Sequence, residues 1–146
     1  DARRGAVSFY LDTSVLVSST ANESMSERAR TFLKSVTDVT IIADLAALEF
    51  SAAMSRAVRM GQASQAEARE MLADFDLMRS ASVSHSHTSS DYALADALIR
   101  DFSTKLAAPD ALHLATTANL RATLVTFDER LVAAARLRGV EVAMPG

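Results

Sequence analysis

The sequence contains no cysteine and no tryptophan, and only two of its 146 residues are proline. Without cysteine the chain can form neither a disulfide framework nor a thiolate metal site. The absence of cysteine agrees with a reducing cytoplasm, which is where we expect the protein to act. No apolar run approaches the roughly 20 residues that a membrane-spanning helix needs. The first five residues lack the apolar stretch of a signal peptide. Since the sequence begins without methionine, we interpret residues 1–6 as a disordered segment or the remnant of a tag.

Lysine is also scarce, since the sequence has two lysines and thirteen arginines. The formal net charge is −3. A negative chain lacks the overall positive field that drives sequence-independent binding to nucleic acid. A local basic rim remains possible, and arginine suits bidentate contact with phosphate. The preferred explanation of the arginine bias is nevertheless a GC-rich genome.

Helical and strand-like patterns alternate along the whole chain, and hydrophobic residues make up 49% of it. That share is enough for one core of ordinary size, so we expect a single domain over residues 1–146. The patterns predict strands over residues 7–11, 39–43, 81–84, 122–127 and 140–143, with helices between them. Strands that alternate with helices favour a parallel, doubly wound sheet covered on both faces.

Polar residues predict where several of these helices begin. Asp44 is expected to cap a helix that runs to about residue 60, and Pro109 to take the first position of a helix over residues 110–119. Three further helix starts have the pattern of a capping box, namely Ser24 with Glu27, Ser64 with Glu67, and Thr88 with Asp91.

Four acidic residues lie where their charge calls for an explanation. Asp12 and Asp128 each follow a predicted strand, Glu49 lies in the otherwise almost wholly apolar helix "LAALEFSAAM", and Asp110 begins the helix "PDALHLATTA". Each has a structural explanation when it is taken alone. The two strand-end residues can cap turns or helices, Asp110 can interact with a helix dipole, and Glu49 can lie on an exposed stripe.

Taken together, the four acids indicate a metal site. The carboxyl ends of parallel strands share one edge of a sheet, so Asp12 and Asp128 are expected on the rim where ligands bind. Carboxylates that converge there repel one another and raise at least one pKa unless a cation lies between them. No lysine lies near any of the four in sequence. Mg²⁺ or Mn²⁺ is the natural counter-charge, whereas zinc is disfavoured in a chain with no cysteine and three histidines.

These segments resemble a known family. The stretches "YLDTSVLV", "LAALEFSAAM", "PDALHLATTA" and "TLVTFDERLVAAA" are similar, in order and in spacing, to the motifs of PIN-domain ribonucleases, and most of all to VapC-type toxins of toxin–antitoxin pairs. The likeness runs from about residue 9 to residue 145. It implies an α/β fold, a three-layer α/β/α sandwich with a central, mostly parallel sheet.

The resemblance also implies an activity, a cofactor and partners. It implies a metal-dependent endoribonuclease with an RNA substrate, a cognate antitoxin and a homodimeric state. The residues that would hold one or two Mg²⁺ or Mn²⁺ ions are Asp12, Glu49, Asp110 and Asp128. Ser14 and Thr126 match the small polar positions that flank the pocket in the family, so we expect them to orient a carboxylate or a water.

The three histidines fall outside this assignment. His85 and His87 are interpreted as surface residues at a strand end. His113 lies one turn after Asp110, and a packing or hydrogen-bonding role is favoured over a place near the metal.

Two other functions remain open from the sequence. The first is phosphotransfer through an aspartyl nucleophile, which suits Asp12 but calls for a second acid two residues later, where Ser14 stands. The second is a non-catalytic interaction module on the same fold.

We also expect Glu49→Ala to raise the stability of the metal-free protein, because it would relieve repulsion between carboxylates.

Overall fold

The computed structural model describes residues 7–146, so our interpretation of residues 1–6 lies outside the described residues. Over the described range the strands are β1 (Ser8–Leu11), β2 (Val39–Ala43), β3 (Val83–His85), β4 (Thr123–Val125) and β5 (Val142–Ala143). The helices are α1 (Thr13–Thr20), α2 (Ser26–Ser35), α3 (Asp44–Arg59), α4 (Gln65–Ser80), α5 (Ser89–Arg100), α6 (Ala108–Leu120) and α7 (Glu129–Leu137). No helix within residues 7–146 has both the length and the apolar character required to cross a bilayer.

The five strands form one wholly parallel sheet in the order β3-β2-β1-β4-β5. β1 lies at its centre, where Tyr10 pairs with Ile41 of β2 on one side and Leu124 of β4 on the other. The chain builds outwards from β1 through β2 and β3, then returns to the opposite side of β1 through β4 and β5. The order therefore reverses between β1 and β4, which opens a crevice at the carboxyl ends of these two strands.

Each face of the sheet is covered by its own apolar cluster. Tyr10 and Leu124 point to a cluster formed with α5, α6 and α7, whereas Leu11 and Val125 point to a cluster formed with α1, α2, α3 and α4. Successive side chains of a strand alternate between the faces, so strands covered on both sides must be apolar throughout. The predicted three-layer α/β/α sandwich is confirmed.

Helix starts agree with the predictions in part. The capping boxes predicted ahead of α4 and α5 are both present. The box predicted from Ser24 and Glu27 is wrong, because α2 begins at Ser26 and no side chain caps it. The Ser26 hydroxyl instead accepts the Glu23 N–H at 2.9 Å, which closes the turn before the helix.

Asp44 and Pro109 each lie one position from the place predicted for them. Asp44 is the first helical residue of α3 rather than its cap. It can still interact favourably with the helix dipole from that position. Pro109 is the second residue of α6, which begins at Ala108. Its missing N–H is harmless there, because the first four N–H groups of a helix have no partner within the helix.

Candidate active site

Asp12 and Asp128 border the crevice between β1 and β4, as their positions after these strands predict. Asp12 directly follows β1, and its N–H donates to the carbonyl of Val125 at 3.0 Å, which ties the ends of the two strands together. The Asp12 side chain makes no capping hydrogen bond to α1, although its backbone begins that helix. Helix capping therefore does not account for the Asp12 carboxylate, although the side chain is only 9% exposed.

Two hydroxyl groups hold the Asp12 carboxylate in place. Ser14 Oγ donates to Asp12 Oδ2 at 2.7 Å, and Thr126 Oγ1 donates to the same oxygen at 2.8 Å. The hydroxyls themselves accept backbone N–H groups, Ser14 from Phe127 at 3.1 Å and Thr126 from Asp128 at 3.0 Å. Both hydroxyl protons are thus directed at one oxygen. The other oxygen, Oδ1, makes no hydrogen bond with the part of the chain that the structure describes.

Asp128 carries a structural role that Asp12 lacks. Its Oδ1 accepts the N–H groups of Arg130 at 2.9 Å and of Leu131 at 3.3 Å, which caps the start of α7. This cap fixes the side chain at the mouth of the crevice. Asp128 Oδ2 makes no hydrogen bond within residues 7–146 and is available to a ligand.

Glu49 and His113 belong to one buried line of hydrogen bonds. His113 Nε2 lies 2.5 Å from Glu49 Oε1, and Thr13 Oγ1 donates to the same oxygen at 2.9 Å. Tyr10 OH lies 2.6 Å from His113 Nδ1. Because a carboxylate only accepts, Nε2 carries the proton, and in the neutral ring Nδ1 accepts from the tyrosine hydroxyl. The structure therefore gives His113 the hydrogen-bonding role that the sequence favoured, and it also places the ring beside two of the predicted metal ligands, since His113 Nε2 lies 4.0 Å from Asp12 Oδ1.

The repulsion between carboxylates that we expected does not raise the pKa of Glu49. Burial raises the pKa of Glu49, but hydrogen bonds from His113 and Thr13 outweigh it and lower the pKa. The predicted gain in stability from Glu49→Ala stays a prediction, and it is opposed by the hydrogen bonds that this carboxylate accepts. Its loss would leave the buried N–H of His113 without an acceptor.

Repulsion between the carboxylates raises the pKa of Asp110 instead. Asp110 lies half-buried in the first turn of α6. Burial raises its pKa, and the charges of Asp128, Asp12 and Glu49 raise it further, while His113 partly offsets them. The structure thus brings all four predicted acids close enough for their charges to interact.

The residues present fit a hard divalent cation. Within residues 7–146 the ion pairs made by arginine involve Asp44, Asp96 and Asp101, so no lysine or arginine there neutralises the four carboxylates. Carboxylate oxygens are the donors that Mg²⁺ and Mn²⁺ prefer. The free oxygens of Asp12 and Asp128 are suitable donors, and a cation would remove the penalty on ionised Asp110.

His85 and His87 are not plain surface residues, and that interpretation is wrong. His85 Nε2 pairs with Asp91 Oδ2 at 3.0 Å, and His87 Nδ1 pairs with Thr116 Oγ1 at 2.8 Å. Both histidines are partly buried. Among the residues described, they and Asp91 are the one set of three ligand-type side chains whose ligand atoms all lie within 4.8 Å of one another. The four crevice carboxylates are spaced more widely.

The fold and the acidic crevice at its switch point define a doubly wound parallel α/β domain with a candidate metal site at its central strands. A family profile of the PIN domain matches residues 9–137. The chain therefore belongs to the PIN domain family. A search among curated protein sequences found no match.

Several solved structures have a similar fold. A chain of VapBC2 from Rickettsia felis, bound to a DNA fragment from its promoter, superposes with a TM-score of 0.74 at 13% identity, covering 96% of this chain and 100% of that one. VapC20 from Mycobacterium tuberculosis, a sarcin–ricin-loop-cleaving toxin, gives a TM-score of 0.69 at 16% identity, over 86% and 94% of the two chains. A toxin–antitoxin complex from Klebsiella pneumoniae gives 0.61 at 19% identity, over 82% and 85%. Similarity at these identities shows a shared fold.

Proposed function

We propose that the chain is a metal-dependent endoribonuclease of the VapC type, the toxin of a toxin–antitoxin pair that acts in the cytoplasm. Membership of the PIN domain family supports a nuclease. The shared fold with VapC20, which cleaves the sarcin–ricin loop, supports an RNA substrate. The shared fold with chains of VapBC and toxin–antitoxin complexes supports a cognate antitoxin as partner. A homodimer is part of the same proposal.

The observation that carries this proposal is the state of Asp110. Its pKa is raised by burial and by Asp128, Asp12 and Glu49 together. An acid that three neighbouring carboxylates destabilise, with no lysine or arginine within residues 7–146 to neutralise them, is an arrangement that a protein retains for a purpose other than stability. Binding a cation is the simplest such purpose.

In the proposed mechanism Asp12, Asp110, Glu49 and Asp128 would hold one or two Mg²⁺ or Mn²⁺ ions. Such ions, when bound, acidify a water and neutralise the charge of the scissile phosphodiester. The protein itself fixes the orientation of these donors. Hydrogen bonds to Asp12 Oδ2 occupy that oxygen and leave Oδ1 for the crevice, and α7 fixes Asp128 through its cap.

Glu49 and the secondary residues would contribute by orientation. His113 and Thr13 both occupy Glu49 Oε1, which leaves Oε2 for a ligand. Ser14 and Thr126 act only through Asp12, to which both donate. They are therefore proposed as positioning residues.

The test is cleavage of total RNA by the purified chain with Mg²⁺, with Mn²⁺ and with EDTA. We expect cleavage with either ion, none with EDTA, and none from Asp12→Asn. The matched control is Asp44→Asn, because Asp44 follows β2 as Asp12 follows β1 yet has a 52% exposed side chain facing Arg79 at 3.7 Å. The control should cleave like the wild type.

Three outcomes would contradict the proposal. They are cleavage that resists EDTA, full activity of Asp12→Asn, and equal loss of activity in Asp44→Asn. Circular dichroism establishes that both variants are folded before their activities are compared. A phospho-aspartate trapped on the wild-type chain would favour phosphotransfer instead.

A further inference from the structure

A second cluster of ligand-type side chains lies where β3 connects to α5, and we propose that it binds a borderline divalent cation, Zn²⁺ in the first instance. The cluster consists of His85, His87 and Asp91, and we refer to it as the His–His–Asp site. One ring nitrogen of each histidine and one carboxylate oxygen all lie within 4.8 Å of one another. The proposal is independent of the nuclease function and of the crevice carboxylates.

Local sequence explains why these three side chains meet. His85 is the last residue of β3, and in extended chain a residue and its second neighbour point to the same side, which brings His87 beside it. Asp91 is turned back towards them by the capping box of α5, in which Thr88 N–H donates to Asp91 Oδ2 at 2.9 Å. All three ligands thus come from one short segment, residues 85–91, and an ion that joins them closes only a small loop at small entropic cost.

The separations are close to those of a zinc site. Tetrahedral zinc with bonds of about 2.0–2.1 Å places its ligand atoms about 3.3 Å apart. His85 Nε2 and Asp91 Oδ2 are already 3.0 Å apart as a hydrogen-bonded pair, so zinc would displace the Nε2 proton and the neutral ring would carry its proton on Nδ1. The limit of 4.8 Å on the whole set leaves His87 about 1.5 Å or less to close.

Helix α6 supports two of the ligands from behind. Thr116 Oγ1 pairs with His87 Nδ1 at 2.8 Å, and Asn119 Nδ2 donates to Asp91 Oδ1 at 2.7 Å. Hydrogen bonds of this kind orient the ligands of metal sites. When Nδ1 donates to Thr116, His87 Nε2 carries the lone pair that a cation needs. The hydrogen bond that Nε2 accepts within residues 7–146 comes from the Leu45 N–H at 3.4 Å, which is long for such a bond.

The donor set selects the class of ion. Two imidazoles and a carboxylate suit Zn²⁺, Co²⁺, Ni²⁺ or Cu²⁺, whereas Mg²⁺ and Mn²⁺ prefer oxygen alone. The His–His–Asp site therefore differs in kind from the crevice. Asp91 is only 2% exposed while the His85 side chain is 18% exposed, so the site is anchored inside and open to solvent on one side. Three protein ligands leave a fourth position for water.

The His–His–Asp site adjoins the crevice through α6. The His87 ring centroid lies 6.3 Å from that of His113, which contacts Glu49. Zinc bound to His87 would therefore fix the wall behind the candidate active site. Since Thr116 and Asn119 orient the ligands only in the folded chain, zinc should bind that state more tightly and raise the melting temperature.

The experiment is a calorimetric titration of tag-free protein with ZnCl₂ in buffer that contains Mg²⁺. We expect one Zn²⁺ per chain, and a dissociation constant at least about tenfold weaker in His85→Gln and in His87→Gln. Asp110→Asn is the matched control, since it removes a crevice carboxylate and leaves the His–His–Asp site intact. Its zinc affinity should equal that of the wild type.

A residue-specific measurement completes the test. In spectra of the ¹⁵N-labelled wild-type imidazoles, zinc should shift the ring nitrogens of His85 and His87 but not those of His113. This readout stands even if a glutamine variant fails to fold. The proposal is overturned if zinc does not bind, if both glutamine variants bind as tightly as the wild type, if Asp110→Asn abolishes binding, or if only His113 shifts.

Discussion

Replacing Tyr10 with phenylalanine would remove one hydroxyl from the buried line that reaches Glu49. The Tyr10 side chain is fully buried, and its hydroxyl donates to His113 Nδ1 at 2.6 Å. Burial, together with the charges of Asp12 and Glu49, raises the pKa of Tyr10, so the hydroxyl stays protonated and available as a donor. Phenylalanine keeps the ring that packs in the core, so the variant tests the hydrogen bond alone.

The expected loss of stability follows from what the hydroxyl leaves behind. A hydrogen bond contributes a net 0.5–1.5 kcal/mol or so, but an acceptor left buried without a partner costs about 1–3 kcal/mol. His113 is 1% exposed, so its Nδ1 has no access to bulk water. We therefore expect Tyr10→Phe to lower the free energy of unfolding by about 1–3 kcal/mol, with a fall in melting temperature of roughly 2–4 °C for each kcal/mol.

The assay is urea unfolding in EDTA at neutral pH. The urea concentration at the midpoint of unfolding should fall, while the slope of the unfolding free energy against urea concentration stays the same. Tyr92→Phe is the matched control, because Tyr92 is the chain's other tyrosine and is 58% exposed. It should remain within about 0.5 kcal/mol of the wild type. If Tyr10→Phe is as stable as Tyr92→Phe, the hydroxyl does not support His113 and the reasoning fails.

Three further predictions concern the crevice. Asp110→Asn should raise the melting temperature of the metal-free protein at pH 7, because the raised pKa of Asp110 shows that its ionised form is unfavourable in the folded protein. The gain should disappear below about pH 4, where Asp110 is protonated in both the folded and the unfolded protein. A gain that does not depend on pH would contradict this prediction. Asp128→Ala should lose about 0.5–2 kcal/mol with the α7 cap, whereas Asp128→Asn should retain most of that stability, and equal thermal melts for the two would refute the cap. Thr126→Val should lose about 1–3 kcal/mol in urea unfolding, since the hydroxyl bridges Asp12 and a backbone N–H; a loss below about 0.5 kcal/mol would show that other groups replace it.

The fold could be predicted because its signal is local. A buried parallel strand must be apolar on both faces, which the runs at β1 and β2 show without any knowledge of their partners. The first residue of a helix is harder to predict where several neighbouring residues could cap it. Ser24 and Ser26 both lie near the start of α2, and it is the contact of Ser26 with Glu23, rather than a cap by Ser24, that closes the turn before the helix.

The positions of the acids could be predicted for the same kind of reason, but their partners could not. The strand-end rule brings Asp12 and Asp128 to one edge from local sequence alone. Tyr10 and His113 are 103 positions apart, and no pattern near either one indicates their contact. The prediction that His85 and His87 lie on the surface is wrong because an alternating pattern does not show which side of the strand end another helix covers. Here α6 covers it through Thr116.

The central place of β1 bears on when the crevice can form during protein synthesis. Phe9 of β1 pairs with Thr123 of β4, so β1 emerges from the ribosome long before the strand that pairs with its second edge. Contacts of such large sequence separation are slow to form. A nascent or truncated chain that ends before residue 123 lacks both β4 and Asp128. For the proposed ribonuclease, this means that the four carboxylates cannot come together before the ribosome has translated residue 128.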